Sequence, residues 1–160
     1  MTYNMVLIAL LALIASAVLF GRAEAAELCP RVVETEFNTV EVVIASVIID
    51  APRDGQVEAT FAIQEAIDAV AAIGGGVVFL PSGRYRLDGG IVVRETVTLR
   101  GDWRKPEDVG ANAGTILMPR AGRGEPDGTP AITLERGSGI RELTIWYPDQ
   151  RPDDIAPYPW

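Results

Sequence analysis

The sequence predicts an all-β chain with a single helix, and three observations predict it. Apolar side chains recur at helical spacing between Thr60 and Ile73, the run Gly74-Gly75-Gly76 stops that pattern, and from Val77 to Pro148 only short strand-like segments follow. Those segments are joined by turns as brief as Asp88-Gly89-Gly90. They fit either an antiparallel sandwich or barrel, or the coils of a parallel β-helix. Brief turns and the absence of Asn-Gly hairpin signals favour coiling, while spacing alone leaves both architectures open.

Taken in order, residues 5–20, MVLIALLALIASAVLF, form an apolar run followed by small residues at Gly21-Arg22-Ala23-Glu24-Ala25-Ala26. This is the pattern of a signal peptide over residues 1–25, cut near Ala25 or Ala26, so the chain is expected to be secreted, periplasmic or displayed at the cell surface. The leader lacks Lys or Arg ahead of its apolar run, which keeps an uncleaved amino-terminal anchor as the alternative and the one expected contact with a membrane. Residues 26–59 are a lead-in: RVVETEFNTVEVVIASVIID, residues 31–50, is β-branched without a helical period and reads as one or two strands. Ala51-Pro52-Arg53-Asp54-Gly55 carries turn chemistry. Cys29 is the only cysteine, so no intramolecular disulfide can form.

From Thr60 the period changes. Phe61, Ile63, Ala66, Ile67, Val70 and Ile73 fall on one expected apolar face, and Gln64, Glu65 and Asp68 fall elsewhere. The three glycines follow this helix, where a left-handed C-cap favours a residue without Cβ. A phosphate-binding loop needs the reverse order, strand then glycines then helix, so the glycines are expected to turn the chain and hold no phosphate. The strand candidates are VVFLP (77–81), RYRL (84–87), IVV (91–93), TVTLRG (96–101), TILMP (115–119), AITLE (131–135) and IRELTIWYP (140–148). Alternation puts Tyr85 with Leu87, Val97 with Leu99, Ile132 with Leu134 and Leu143 with Ile145 on one side, and Arg84, Arg86, Thr98, Thr133, Thr144 and Trp146 on the other.

Composition removes several chemistries. The 160 residues carry a net charge of −8 and one lysine, Lys105, which argues against a nucleic-acid partner. Histidine is absent, so this sequence offers no His-driven nucleophile, His base or His-ligated zinc. The sequence calls for no cofactor and no metal. Asp149, Asp153 and Asp154 lack the spacing of a calcium loop and read as a solvated loop; Glu107, Asp108, Glu125 and Asp127 read as turn residues. Trp146 faces outward if Leu143 and Ile145 face inward, and an outward indole on a β-face is a sugar-stacking device as well as a loop anchor. Trp103 and Trp160 have no strand phase to place them.

Residues 60–102, TFAIQEAIDAVAAIGGGVVFLPSGRYRLDGGIVVRETVTLRGD, resemble the opening of the pectate-lyase-like right-handed parallel β-helix proteins, the group with rhamnogalacturonase-like and epimerase-like domains. The matching features are the amphipathic helix, Gly74 to Gly76, Pro81-Ser82-Gly83-Arg84-Tyr85 and Leu99-Arg100-Gly101-Asp102, and residues 130–150 resemble later coils. The family usually places acidic residues just before the helix Thr, and here Glu58-Ala59 precede Thr60. The resemblance implies a capping helix and first coils over residues 60–160, and action on a polysaccharide by hydrolysis or lyase elimination. It also implies catalytic groups on coils farther along, so the chain is expected to be the amino-terminal portion of a larger protein, with Trp146 its one candidate substrate contact. A non-catalytic carbohydrate-binding or surface scaffold is the alternative function, and a small β-sandwich the alternative fold. The acidity of the chain weighs slightly against a polyanionic substrate, although local charge can override the net value.

Overall fold

The computed structural model describes residues 28–36, 42–103 and 113–159. The expected signal peptide, Lys105, Glu107, Asp108 and Trp160 lie outside the described residues.

The chain coils. Its first turn holds β3 (Val47–Ile48), β4 (Asp54–Glu58) and helix α1 (Thr60–Ala72); the second holds β5 (Gly76–Leu80), β6 (Gly83–Leu87) and β7 (Ile91–Val93). The third holds β8 (Val97–Gly101), β9 (Thr115–Pro119) and β10 (Ile132–Leu134), and the last described turn holds β11 (Gly139–Arg141) and β12 (Thr144–Ile145). Equivalent strands stack into three parallel sheets, β3-β5-β8-β11, β4-β6-β9-β12 and β7-β10. Registers such as Gly76↔Val97, Gly83↔Thr115 and Ile91↔Ile132 set one coil on the next. Because every pair within these sheets is parallel, the chain is a β-helix and the sandwich alternative is set aside. Among the described strands one pair is antiparallel, β1 (Arg31–Val32) with β2 (Ile44–Ala45), which belongs to the lead-in and lies outside the coil. There Val33, Val43 and Ala45 pack on Phe79, an outward residue of β5, to form a small second core.

The main core is the inside of the coil. Val78, Leu80, Tyr85, Leu87, Ile91, Val93, Val97, Leu99 and Leu117 are fully buried there, as period-two alternation on strands with one covered face requires. Helix α1 closes the column with Ile63, Ile67 and Val70, all fully buried. Each such side chain contributes about 1.5–3 kcal/mol of transfer free energy.

Phe61 departs from the expected apolar face, since the residue is 75% exposed. Residues two apart on a helix point about 200° apart, so Phe61 cannot share the lid with Ile63. Ile73 is likewise exposed, because it sits at the C-cap after the last helical turn. At the other end the N-cap residue, Ala59, offers no side-chain cap, and the Glu58 carboxylate accepts the Thr60 N–H in its place.

Two glycines show what the matching motifs are for. Gly75, with φ +106°, lies against Thr96 of the next coil, where a Cβ would collide with its hydroxyl and carbonyl oxygen. Gly101 turns the corner between two sheets, where a Cβ would meet the Glu142 carbonyl and the Leu143 and Thr115 side chains. Buried Thr115 ties the same corner together: its hydroxyl donates to the Leu80 carbonyl at 2.8 Å and accepts from the Asp102 N–H at 2.9 Å. The glycine turn follows the helix, as expected, and serves packing.

Candidate functional site

The outward face of the second sheet gathers polar and aromatic residues around Trp146, the candidate contact from the sequence. Register sets Arg84 beside Ile116 and Ile116 beside Thr144, and sets Arg86 beside Met118. Trp146 continues the edge of β12, its N–H donating to the Leu117 carbonyl at 2.9 Å. It stands two residues beyond Thr144 and so on the same face, opposite in phase to Ile145. Trp146 is 44% exposed, and the Arg84 guanidinium carbon lies 5.9 Å from the centre of its ring. At that distance a cation and an indole face attract by about 0.5–1 kcal/mol at an exposed site. Trp103 joins from the loop after β8, its indole N–H donating to the Thr144 hydroxyl at 3.0 Å.

The two arginines of β6 do different work. Arg86 forms a fork-on-fork pair with Asp88, at 2.7 and 2.6 Å, and a third bond at 2.8 Å to the Gln56 carbonyl. That bond fastens β6 to β4 within the second sheet, where the register of β4 shifts between Asp54 and Glu58. Arg86 is therefore a strut. Asp54 is turned into its own strand, where its carboxylate accepts the N–H groups of Gln56 and Val57, and these bonds hold its pKa below the usual value. The Arg84 guanidinium lies near the Trp146 ring.

Elsewhere the charged groups are structural. Arg94 bridges Asp68 of the helix and Glu135 of the third coil, and the hydrogen bond from Arg94 is the main cause of the lowered Asp68 pKa. Arg100, with 3% of its side chain exposed, pairs with Glu142. Arg123 holds the Asp149–Asp154 loop through the Asp149 carbonyl, the Asp154 carbonyl and the Asp154 carboxylate. Buried Asp102 accepts the Glu36 N–H at 2.6 Å and so pins the lead-in to the coil. It also lines a cleft with Glu34, Glu36, Arg53, Pro81 and Ser82. Among the described residues no group of three or more His, Cys, Asp or Glu is arranged to hold a metal ion.

A sequence profile described as Rhamnogalacturonase A/epimerase, pectate lyase-like, matches residues 49–145. The chain belongs to this family. Members similar to it include Alginate lyase 7 of Azotobacter vinelandii, 58% identical over 107 residues that cover 59% of this chain and 11% of that protein. Mannuronan C5-epimerase AlgE3 of the same organism is 60% identical over 37 residues, 23% of this chain and 2% of the epimerase. Among solved structures, the A-module of Azotobacter vinelandii Mannuronan C-5 epimerase AlgE4 superposes with a TM-score of 0.50 at 27% identity, covering 68% of this chain and 29% of the module. The chain thus spans about a tenth of the length of the alginate lyase it matches. Its family relatives act on polysaccharide, and the outward face of its second sheet is where Trp146 stands.

Sequence reasoning singled out Trp146 but not Arg84 or Trp103. Alternation about Tyr85 already puts Arg84 on the outer side. What it leaves out is the register, which carries Arg84 past Ile116 to the neighbourhood of Trp146 across two intervening loops.

Proposed function

We propose that this chain forms the capped opening coils of an exported enzyme that acts on a uronic-acid polysaccharide of the alginate type, and that the outer face of its second sheet binds the sugar chain. The reading is carried by the half-exposed Trp146 on that face with Arg84 against its ring. The kinship to an alginate lyase and to mannuronan epimerases supports the substrate class. Export is supported by the apolar run at residues 5–20. Bond cleavage belongs to other coils of the enzyme. In support, the sequence has no histidine, and the carboxylates beside this face, Asp54, Glu58 and Asp88, are engaged by backbone N–H groups or by Arg86.

The test is affinity electrophoresis of the full chain through gels containing alginate. Retardation that grows with alginate concentration is expected, and Trp146→Ala should weaken it by about tenfold, the scale of a lost aromatic stacking contact of ~1.4 kcal/mol. Equal mobility with and without alginate would remove the reading.

A further inference from the structure

We infer that Trp103 is a second sugar-stacking position on this face, held in place by the Thr144 hydroxyl, so that the face engages two units of one polysaccharide chain. The inference rests on the polysaccharide-binding role of the Trp146 face proposed above, and adds to it a second aromatic contact and the residue that positions it.

Three observations carry it. First, the Trp103 indole N–H donates to the Thr144 hydroxyl at 3.0 Å, joining residues 41 positions apart in the chain. An indole N–H lies in the plane of its ring, so this bond holds the ring by one edge and uses neither face. Trp103 remains partly exposed. Second, Thr144 and Trp146 point to the same side of the chain, two residues and so about 6–7 Å apart. The two indoles are thereby anchored at neighbouring positions, Trp146 by its own backbone and Trp103 through Thr144. Third, the sheet beside them is covered. Ile116, the register partner of Thr144, points outward, opposite in phase to the core residue Leu117, yet is only 1% exposed. Other atoms of the protein therefore close over it, and side chains packed in such a patch lose less freedom when a ligand arrives. The C–H face of one pyranose covers about one indole, so a second anchored indole calls for a second sugar unit. A tryptophan that only fastened its loop would make the same hydrogen bond, and the two roles part in how affinity depends on ligand length.

The experiment titrates the full chain with mannuronic acid and with its tetrasaccharide, following tryptophan fluorescence, after thermal melts confirm that each variant folds. Trp103→Ala should lose about tenfold in affinity for the tetrasaccharide, the scale of one stacking contact, and little for the single sugar, which Trp146 still holds. Trp103→Phe keeps an aromatic face without the N–H and should lose about threefold, as should Thr144→Val, which removes the acceptor. The double variant Trp103→Phe/Thr144→Val should lose no more than either single one, because both remove the same hydrogen bond. Additive losses would overturn the positioning role of Thr144. Folded Trp103→Ala and Trp103→Phe proteins that bind the tetrasaccharide like the wild type overturn the second position, while alginate retardation sensitive to Trp146→Ala leaves the proposed function standing. A loss by the same factor for both ligands also overturns it, since Trp103 would then act on the Trp146 contact. Should Trp103→Ala fail to fold, Trp103→Phe and Thr144→Val decide the matter, because a loop anchor predicts no length-dependent loss in either. A wild type that binds neither ligand and is not retarded by alginate removes the proposed function and this inference together.

Discussion

Tyr85 shows how one residue couples the core to solution conditions. Its ring is buried in the coil and its hydroxyl donates to the Pro81 carbonyl at 2.8 Å. Burial pushes its pKa from 10.0 up to about 12, against a smaller opposing pull from Arg53. Above pH 10 the unfolded chain releases a phenolic proton that the folded chain retains, so stability falls from there to about pH 12. Tyr85→Phe should flatten that alkaline limb in melts taken across the same window, and should cost about 1 kcal/mol at neutral pH through the lost bond to Pro81. Tyr158, whose pKa is also raised by burial, leaves a residual slope in the variant. An alkaline limb identical to the wild type would show that Tyr85 does not carry the effect.

Helix α1 does more at the scale of the element than cover an apolar column. The strand β7 has β10 on one side and the helix on the other, so its lower edge would present bare backbone groups. Gln64 takes the place of the missing strand: its amide oxygen accepts the Val92 N–H at 2.8 Å and its amide nitrogen donates to the Val92 carbonyl at 3.2 Å. The Thr60 hydroxyl accepts the Asp88 and Gly89 N–H groups in the same way. The polar side of this helix is thus an edge cap, and Gln64 was legible in the sequence only as one of its wet residues. Gln64→Ala should destabilise by about 1–3 kcal/mol, because two partly buried backbone groups lose their partners, whereas an exposed glutamine on a helix costs a few tenths at most. Denaturant melts of Gln64→Ala beside Glu65→Ala, one turn position away, separate the two accounts.

For the whole molecule, the first turn of the coil and its last described turn present different faces. The end under α1 carries a closing helix, a bulged β4 and a very short β3, all devices that discourage further pairing. The opposite face shows Ile132, Leu134, Ile140 and Ile145 beside Tyr147 and Pro159, with Leu134 52% and Ile145 44% exposed. Alternation put Leu134 and Ile145 on the inner side correctly, since they share register columns with buried Val93 and Leu117. An apolar face of this kind promotes self-association of the isolated chain. Leu134→Lys with Ile145→Lys should lower concentration-dependent light scattering while leaving the melting temperature nearly unchanged, and scattering that persists would place the cause elsewhere.

The sequence by itself determined the helix, the glycine turn, the inward and outward phase of several strands and the family, because all of these follow from spacing of a few residues: helical period, C-cap chemistry, alternation and short motifs. It also excluded histidine chemistry within this sequence. Only the tertiary structure decided which coil lies on which, and with it the meeting of Arg84 with Trp146, of Trp103 with Thr144 and of Gln64 with Val92. Those contacts join residues separated by loops whose lengths differ from coil to coil. In a β-helix the backbone ladder, by pairing strand on strand, fixes where each loop brings the chain back, and no local pattern encodes that register.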